Sequence, residues 1–450
     1  MVFKRKIYEK MMEWKELSGS ESALLIEGAR RIGKSTITET FARSEYEDYI
    51  LLDFAKEKKE ILRNFEENIG DLDTFFRNLF LLKGKSLKPK QSVIIFDEVQ
   101  LFPLARQAIK YLVADGRYDY IETGSLISIK ENVKDILIPS EEYKLKMYPM
   151  DFEEFLWSTG DEITFSVVKE AFERKKALGG DIHRQVMQKF RTYMAVGGMP
   201  QAVSAFVNGR TYEEIDFVKR NILDLYEDDL KKHDTNHKER ASVVFKTIPE
   251  QLSNHNSHFK LSILDKKARY ERYVDAIDFV AESMMGNVCI NVTAPEVALE
   301  LYADRGNFKL YMGDTGLLVT QIMRTGDTSD ENLYKSLIFD KLGINQGMIM
   351  ENMVAQMLRV SGSALYFHEF KYQGADAAKE SKYEIDFLTV RKRKIVPIEV
   401  KSSGYKQHKS FDYLLKKYDL KVQDKYILYT KDLLYEDGIT YLPIYMAGLI

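Results

Sequence analysis

The chain is poor in the features that commit a protein to an extracellular or membrane setting. Cys289 is its only cysteine, so no intrachain disulfide can form and a reducing compartment is expected. No apolar run approaches the roughly 18 residues that a membrane-spanning helix requires. The first residues, Met1-Val-Phe-Lys-Arg-Lys-Ile7, are charged and lack the apolar core of a signal peptide. A cytoplasmic protein without a membrane partner is therefore expected. Neither sign of charge dominates: a net charge of −3 excludes a uniformly basic nucleic-acid binder but leaves a local basic surface open. No internal repeat or low-complexity stretch stands out. What is abundant is apolar. Hydrophobic residues make up 45% of 450 positions, ample for the cores of about two to four domains.

The most informative stretch is Gly28-Ala-Arg-Arg-Ile-Gly33-Lys34-Ser35, which follows the apolar run Ala23-Leu24-Leu25-Ile26. Two glycines five apart, followed at once by Lys and Ser, fit the P-loop pattern. The glycines let successive backbone amides turn inward around a phosphate. Gly28, Arg30, Arg31, Ile32, Gly33, Lys34, Ser35 and Thr36 are the expected cradle. Lys34 would supply a point charge to the β- and γ-phosphates, and Ser35 a hydroxyl to Mg²⁺. The residues from Ser35 to Phe41 can open a helix whose N-terminus favours an anion.

Ser92-Val93-Ile94-Ile95-Phe96-Asp97-Glu98 reads as a buried parallel strand with two acids at its C-terminal end, where open α/β sheets place ligands. Asp97 is expected to hold Mg²⁺ and Glu98 to polarise a water. Tyr118 to Ser125 reads as a strand inserted between the P-loop strand and the acidic strand, with Thr123 or Ser125 as a sensor of the γ-phosphate. Ile7, Met11 and Trp14 recur at helical spacing, Tyr49–Phe54 and Glu141–Met147 read as further strands, and Leu72–Phe80 as a helix. Asp151-Phe-Glu-Glu154 reads as a capping box that ends the sheet domain.

From there to about Gly209 the pattern is helical, interrupted by the breaker cluster Gly197-Gly-Met-Pro200. His233 and His237 lie four apart but lack a third ligand, so solvated helix-end histidines are expected. Between about Ala241 and Leu318, three short helices and the β-like runs 288–292 and 308–312 suggest a winged-helix unit. There Lys266, Lys267, Arg269 and Arg272 either face nucleic-acid phosphates or are simply solvated. Residues 323–346, including Gly326-Asp-Thr-Ser-Asp330, read as a linker.

The last hundred residues hold a second constellation. A helix is expected from Gly347 to Leu358, followed by strands Tyr383–Val390 and Ile395–Lys401 joined by the charged hairpin Arg391-Lys-Arg-Lys394. By a side-chain period of two, Asp386 shares a face with Glu384, Leu388 and Val390, and Glu399 with Lys401. If Asp386 meets Glu399 across the ladder, two carboxylates converge with an ammonium beside them. That set can bind Mg²⁺ or Mn²⁺ and let Lys401 act on a water near a phosphodiester. Glu351 is a third acidic contributor. Asp, twelve residues, then Glu-x-Lys is the signature of restriction-endonuclease-like nucleases.

Taken together, the P-loop, Ile95-Phe-Asp-Glu-Val-Gln100, Glu122-Thr-Gly-Ser125, Gly197-Gly-Met-Pro200, Lys309-Leu-Tyr-Met-Gly-Asp-Thr-Gly-Leu317, Glu351-Asn-Met-Val354 and Glu399-Val-Lys401 carry a resemblance. The chain resembles AAA-superfamily ATPases of bacteria and archaea that carry a C-terminal domain of unknown function with a nuclease-like module. The resemblance implies ATP rather than GTP, in line with the lack of a base-reading Asn-Lys-x-Asp. Arg106 and Arg117 are the candidates for a trans-acting arginine. The expected fold is α/β. A P-loop domain would span 1–150, a helical connector 151–240, a winged-helix-like unit 241–322 and a restriction-endonuclease-like domain 347–450. The expected function is an Mg²⁺-dependent ATPase coupled to a half that binds or cleaves DNA or RNA, with a homo-oligomer possible. The alternative is an ATP-switched interaction protein with a degenerate nuclease fold.

Overall fold

A computed structural model describes residues 2–19, 21–125, 139–233, 239–253, 258–264, 269–324, 334, 336, 346–373, 379–402, 404–406, 408–418, 420, 422 and 424–450. His237, Lys266, Lys267 and the 326–330 run lie outside the described residues, as does the side chain of His233. The chain divides into two compact units. One comprises Met1–Met150 with Glu282–Met284, the other Asp151–Ala281 with Met285–Ile450.

The first unit is built on strands β1 (Ala23–Glu27), β2 (Asp48–Asp53), β3 (Ser92–Asp97), β4 (Asp119–Gly124) and β5 (Glu142–Lys146), in the order β2-β3-β4-β1-β5. Every pairing is parallel. All six residues of β3 are buried, as continuous apolar runs predict for a sheet covered on both faces. Around it lie α1 (Ile7–Ser18), α2 (Lys34–Glu45), α3 (Lys59–Asn68), α4 (Leu72–Lys83) and α5 (Pro103–Asp115). α1 buries Ile7, Met11 and Trp14, the three residues at helical spacing. One core wall is aromatic, with the Phe65 and Phe75 rings 4.8 Å apart and Phe54 and Phe96 5.7 Å apart. β4 sits between β1 and β3, with Ile121 opposite both Leu24 and Ile95. That order brings the C-terminal ends of the loop strand, the acidic strand and the polar strand side by side.

The second unit opens with α6 (Phe152–Ser158), where Asp151 and Glu154 form the reciprocal capping box. α7 (Thr164–Glu173), α8 (Gly180–Val196), α9 (Pro200–Val207), α10 (Tyr212–His233), α11 (Arg240–Lys246), α12 (Ile248–Ser253), α13 (Leu261–Leu264) and α14 (Tyr270–Glu282) follow. After the ribbon β6 (Gly286–Val292) and β7 (Ala303–Met312) come α15 (Thr315–Met323) and α16 (Gln346–Val360). The chain closes with β8 (Tyr366–Tyr372), β9 (Ser381–Arg391), β10 (Lys394–Val400), α17 (Lys409–Lys417), β11 (Tyr426–Tyr429), β12 (Leu434–Glu436) and β13 (Ile439–Pro443).

These eight strands form one mixed sheet in the order β12-β13-β11-β10-β9-β8-β6-β7. The ribbon read as part of a separate unit over 241–322 is present, but β6 pairs with β8 through Ile290 and Tyr366. The sheet therefore runs across the expected division between 322 and 347, because β6 leaves an edge that β8 completes. The helical breaker and the 309–317 run meet inside this unit. The Asp314 carboxylate accepts the N–H groups of Gly198 at 2.6 Å and Leu317 at 2.9 Å. Lys219, from α10, donates to the carbonyls of Ala195 and Gly316 at 2.6 and 3.2 Å. α16 is stitched to the same run: Asn352 accepts the N–H of Met312 at 2.7 Å, and Gln356 that of Thr315 at 2.7 Å.

Candidate functional site

In the first unit the loop after β1 turns through Arg31 at φ 68° and Gly33 at φ 94°, and α2 begins at Lys34. Only glycine reaches the second value without strain. A side chain on Gly28 would lie 2.4 Å from both Ile32 Cδ1 and the Met147 carbonyl, so that position too must be bare. Arg5 braces the loop from outside, donating to the carbonyls of Ile32 at 3.0 Å and Tyr148 at 2.6 Å. It is a supporting residue that the motif does not contain.

Lys34 is buried, yet among the described residues its ammonium rests only on neutral groups, the carbonyls of Gly28 and Ala29, each at 2.9 Å. Burial lowers its pKa to about 8, against the pull of Glu98 and Asp97. Ser35 donates to Asp97 Oδ1 at 2.8 Å, and Thr123 donates to the same oxygen. Burial raises Asp97 above the usual carboxylate range, with the two hydroxyls opposing it. Glu98 stands at φ 55°, in the left-handed region where a side chain costs about 1–3 kcal/mol. Its carboxylate accepts from Gln100 and, at 3.4 Å, from Ser125. Its backbone N–H donates to Thr123 Oγ1 at 3.4 Å. The loop, the acid pair and both polar residues of β4 thus form one connected set.

Those residues fit a nucleotide with Mg²⁺. The lysine has no anionic partner among the described residues, the loop is bare where a Cβ would intrude, and Ser35 with Asp97 offers hard oxygen donors. Arg106 and Arg117 do not fit the role of a trans-acting arginine. Arg106 makes a buried two-bond pair with Glu142 at 2.7 and 2.9 Å, and Arg117 is paired with Asp115 and Asp73, each at 2.7 Å.

With this geometry in place, residues 20–156 match the AAA domain family. They form an AAA-like P-loop domain. Residues 187–328 match a domain of unknown function, DUF8612, and residues 346–447 match another, DUF4143. No curated protein matches the chain. Among solved structures it is similar to the Walker-type ATPase PABY2304 of Pyrococcus abyssi. That pair is 13% identical over 71% of this chain and 96% of the other, with a TM-score of 0.41. It is also similar to the RuvB Holliday junction branch migration motor of Thermotoga maritima, at 12% identity, 63% and 89% coverage and a TM-score of 0.27. The Aeropyrum pernix ORC2 protein in its ADP form gives 12%, 75%, 93% and 0.26. No helix among the described residues is long and apolar enough to cross a membrane.

The second unit contains a cavity of about 400 Å³ lined by Lys309, Glu351, Glu384, Asp386 and Lys401 among others. Three of these are residues singled out from the sequence. The β9–β10 ladder reaches Phe387 opposite Ile398, and just beyond it Asp386 Oδ2 accepts the N–H of Val400 at 2.7 Å. Lys401 lies 2.9 Å from Glu399, which is buried. One expectation is corrected here. Tyr366 pairs with Leu388 while His368 pairs with Ile385, so β9 carries an extra residue opposite Phe367. Leu388 therefore joins Ile385 in the apolar cluster instead of sharing the Asp386 face.

The sequence reading places Lys309 only within the 309–317 run and gives it no place in this site. Its ammonium bridges Glu351 at 2.9 Å and Glu384 at 2.5 Å, while the Tyr311 hydroxyl donates to Glu351 at 2.5 Å. Burial works to lower the pKa of Lys309, but Glu351, Glu384 and Asp386 outweigh it and hold the ammonium charged. Burial, with Glu351 adding to it, pushes Asp386 up to about 8. The residues expected to hold a metal, Asp386, Glu399 and Glu351, do not fit one as they stand. Among the described residues no group of three or more His, Cys, Asp or Glu is arranged to hold a metal ion. Asp386 is committed to a backbone N–H, Glu399 to Lys401 and Glu351 to Lys309.

Proposed function

We propose that this chain is an Mg²⁺-dependent ATPase whose first unit carries the hydrolytic set. The observation that carries the reading is the connected group Ser35–Asp97–Thr123 beside a buried Lys34 that donates to two carbonyls. In this reading the backbone amides of the 28–36 loop bind phosphate, and Lys34 offers its charge to the β- and γ-phosphates. Ser35 and Asp97 would hold Mg²⁺, which when bound neutralises phosphate charge. Glu98 orients the attacking water, with Gln100 and Ser125 fixing its carboxylate. Thr123, bonded to Asp97, reports the state of the γ-phosphate through that acid.

The test is Glu98→Gln. ATP binding should persist while turnover falls by about 10²–10⁴-fold. Phosphate release at the unaltered rate would sink the assignment. One bound nucleotide per chain with negligible turnover in the unaltered protein would instead make the first unit a switch.

For the second unit we propose a nuclease-like fold that docks nucleic acid without metal-dependent cleavage. Its support is the layout of α16, the β9–β10 hairpin, Asp386, Glu399 and Lys401, combined with the contacts that Asp386, Glu351 and Glu399 already make inside the protein. Binding of DNA or RNA should survive a chelator. Chelator-sensitive nicking that Lys401→Ala abolishes would restore the cleavage reading.

A further inference from the structure

The acid cavity of the second unit contains an ammonium that the nuclease-like pattern does not call for. Lys309 comes from β7, at one edge of the sheet, whereas Glu384 belongs to β9 and Glu351 to α16. Its side chain lies over the Phe367 ring, 5.2 Å from the centroid, and ends between the two carboxylates. The Lys309 side chain is only 8% exposed, so an ammonium there depends on its anionic partners. Carboxylate oxygens that bind a divalent ion must approach it to about 2.0–2.6 Å. The Oε1 atoms of Glu351 and Glu384 cannot converge on such an ion while both contact the Lys309 ammonium.

We propose that Lys309 is the resident cation of this cavity, standing where a divalent ion would have to sit and keeping the site free of metal. The inference rests on the nuclease-like reading of the second unit and is independent of the ATPase reading. Removing the ammonium takes one positive charge from between Glu351, which keeps its bond from the Tyr311 hydroxyl, and Glu384, beside Asp386. That arrangement attracts a divalent cation. The metal site is thus latent, and Lys309 determines whether it exists.

The experiment is Mn²⁺ titration of the full chain without nucleotide, followed by the electron paramagnetic resonance of free Mn²⁺. Each sample also carries Asp97→Asn, so that no signal arises at the P-loop. The chain with native Lys309 should take up no Mn²⁺. Lys309→Met should bind one Mn²⁺ per chain, and adding Glu351→Gln should weaken that binding at least about tenfold, or 1.4 kcal/mol. Uptake by the native-Lys309 chain that Glu351→Gln removes would overturn the proposal. So would a folded Lys309→Met protein that binds no Mn²⁺. If Lys309→Met does not fold, Lys309→Gln, uncharged and of similar length, takes its place in the same titration and decides by the same outcomes. A failure of nucleic-acid binding would leave these metal titrations unchanged, so the two readings fail separately.

Discussion

The two units each bury a lysine beside acids, yet the lysines are in opposite states. Lys34 rests on two carbonyls, 2.9 Å away, and its pKa is lowered to about 8 by burial. Lys309 contacts two carboxylates at 2.9 and 2.5 Å and is held charged despite its burial. A carbonyl interaction is easily exchanged for a phosphate, because a charge-assisted bond replaces a neutral one. A double carboxylate interaction is not, since removing it exposes two anions and a buried cation at once. The residue types in the two sites are nearly the same. What separates a binding site from a filled one is which acids have other partners: Asp97 is bonded to hydroxyls, leaving Lys34 available, whereas Glu351 and Glu384 have taken up Lys309.

The comparison breaks most visibly at Lys34. Lys34→Ala should reduce ATP turnover by about 10²–10³-fold, the scale of losing one charge-stabilising donor. Its stability should change by no more than about 1 kcal/mol, because the loss exposes only two carbonyls that water can reach on local opening. Steady-state phosphate release and urea denaturation measure the two effects. Unaltered turnover, or a collapse of stability, would mean that Lys34 is structural. Lys309→Met should do the reverse. It should destabilise by about 3 kcal/mol through loss of the cation between two buried acids and leave ATP turnover within about twofold. Added Mn²⁺ should then recover part of the loss by mass action. Equal stability of the Lys34 and Lys309 variants would erase the distinction drawn between the two sites.

Much of the first site was legible because its residues sit at strand ends in short, dense motifs. Gly28 to Ser35, Asp97-Glu98 and Thr123 to Ser125 each lie at the C-terminal end of a parallel strand, and the order β3-β4-β1 makes neighbours of them. The supports of that site were not legible. Arg5 reaches Ile32 across 27 positions, and nothing local to either marks the bond. In the second unit the period-two rule placed Glu384 and Asp386 together but misplaced Leu388, because one extra residue in β9 shifts the alternation. Lys309 was hidden for a different reason. It stands 75 positions before Glu384, in a ribbon read as belonging to another unit, and only the β6–β8 pairing brings the two into one sheet. Ladder joins between distant segments leave little trace in either partner.

The smallest expected effect concerns a buried acid of the first unit that makes no ion pair among the described residues. Glu122 is fully buried, and neither of its carboxylate oxygens has a hydrogen-bond partner among the described residues. Burial, with Glu142 adding to it, raises its pKa well above the ordinary 4.5, and Arg106 only partly offsets this. The folded protein therefore holds a proton that the unfolded chain gives up. By linkage, the stability associated with protonated Glu122 is complete below about pH 4.5 and declines as pH rises toward its raised folded value. Glu122→Gln mimics the protonated acid at every pH. Its melting temperature should match that of the native sequence near pH 4 and exceed it increasingly above, with a gain on the order of 1 kcal/mol near pH 8. A difference that is constant with pH would show that Glu122 is ionised in the fold and already balanced by Arg106.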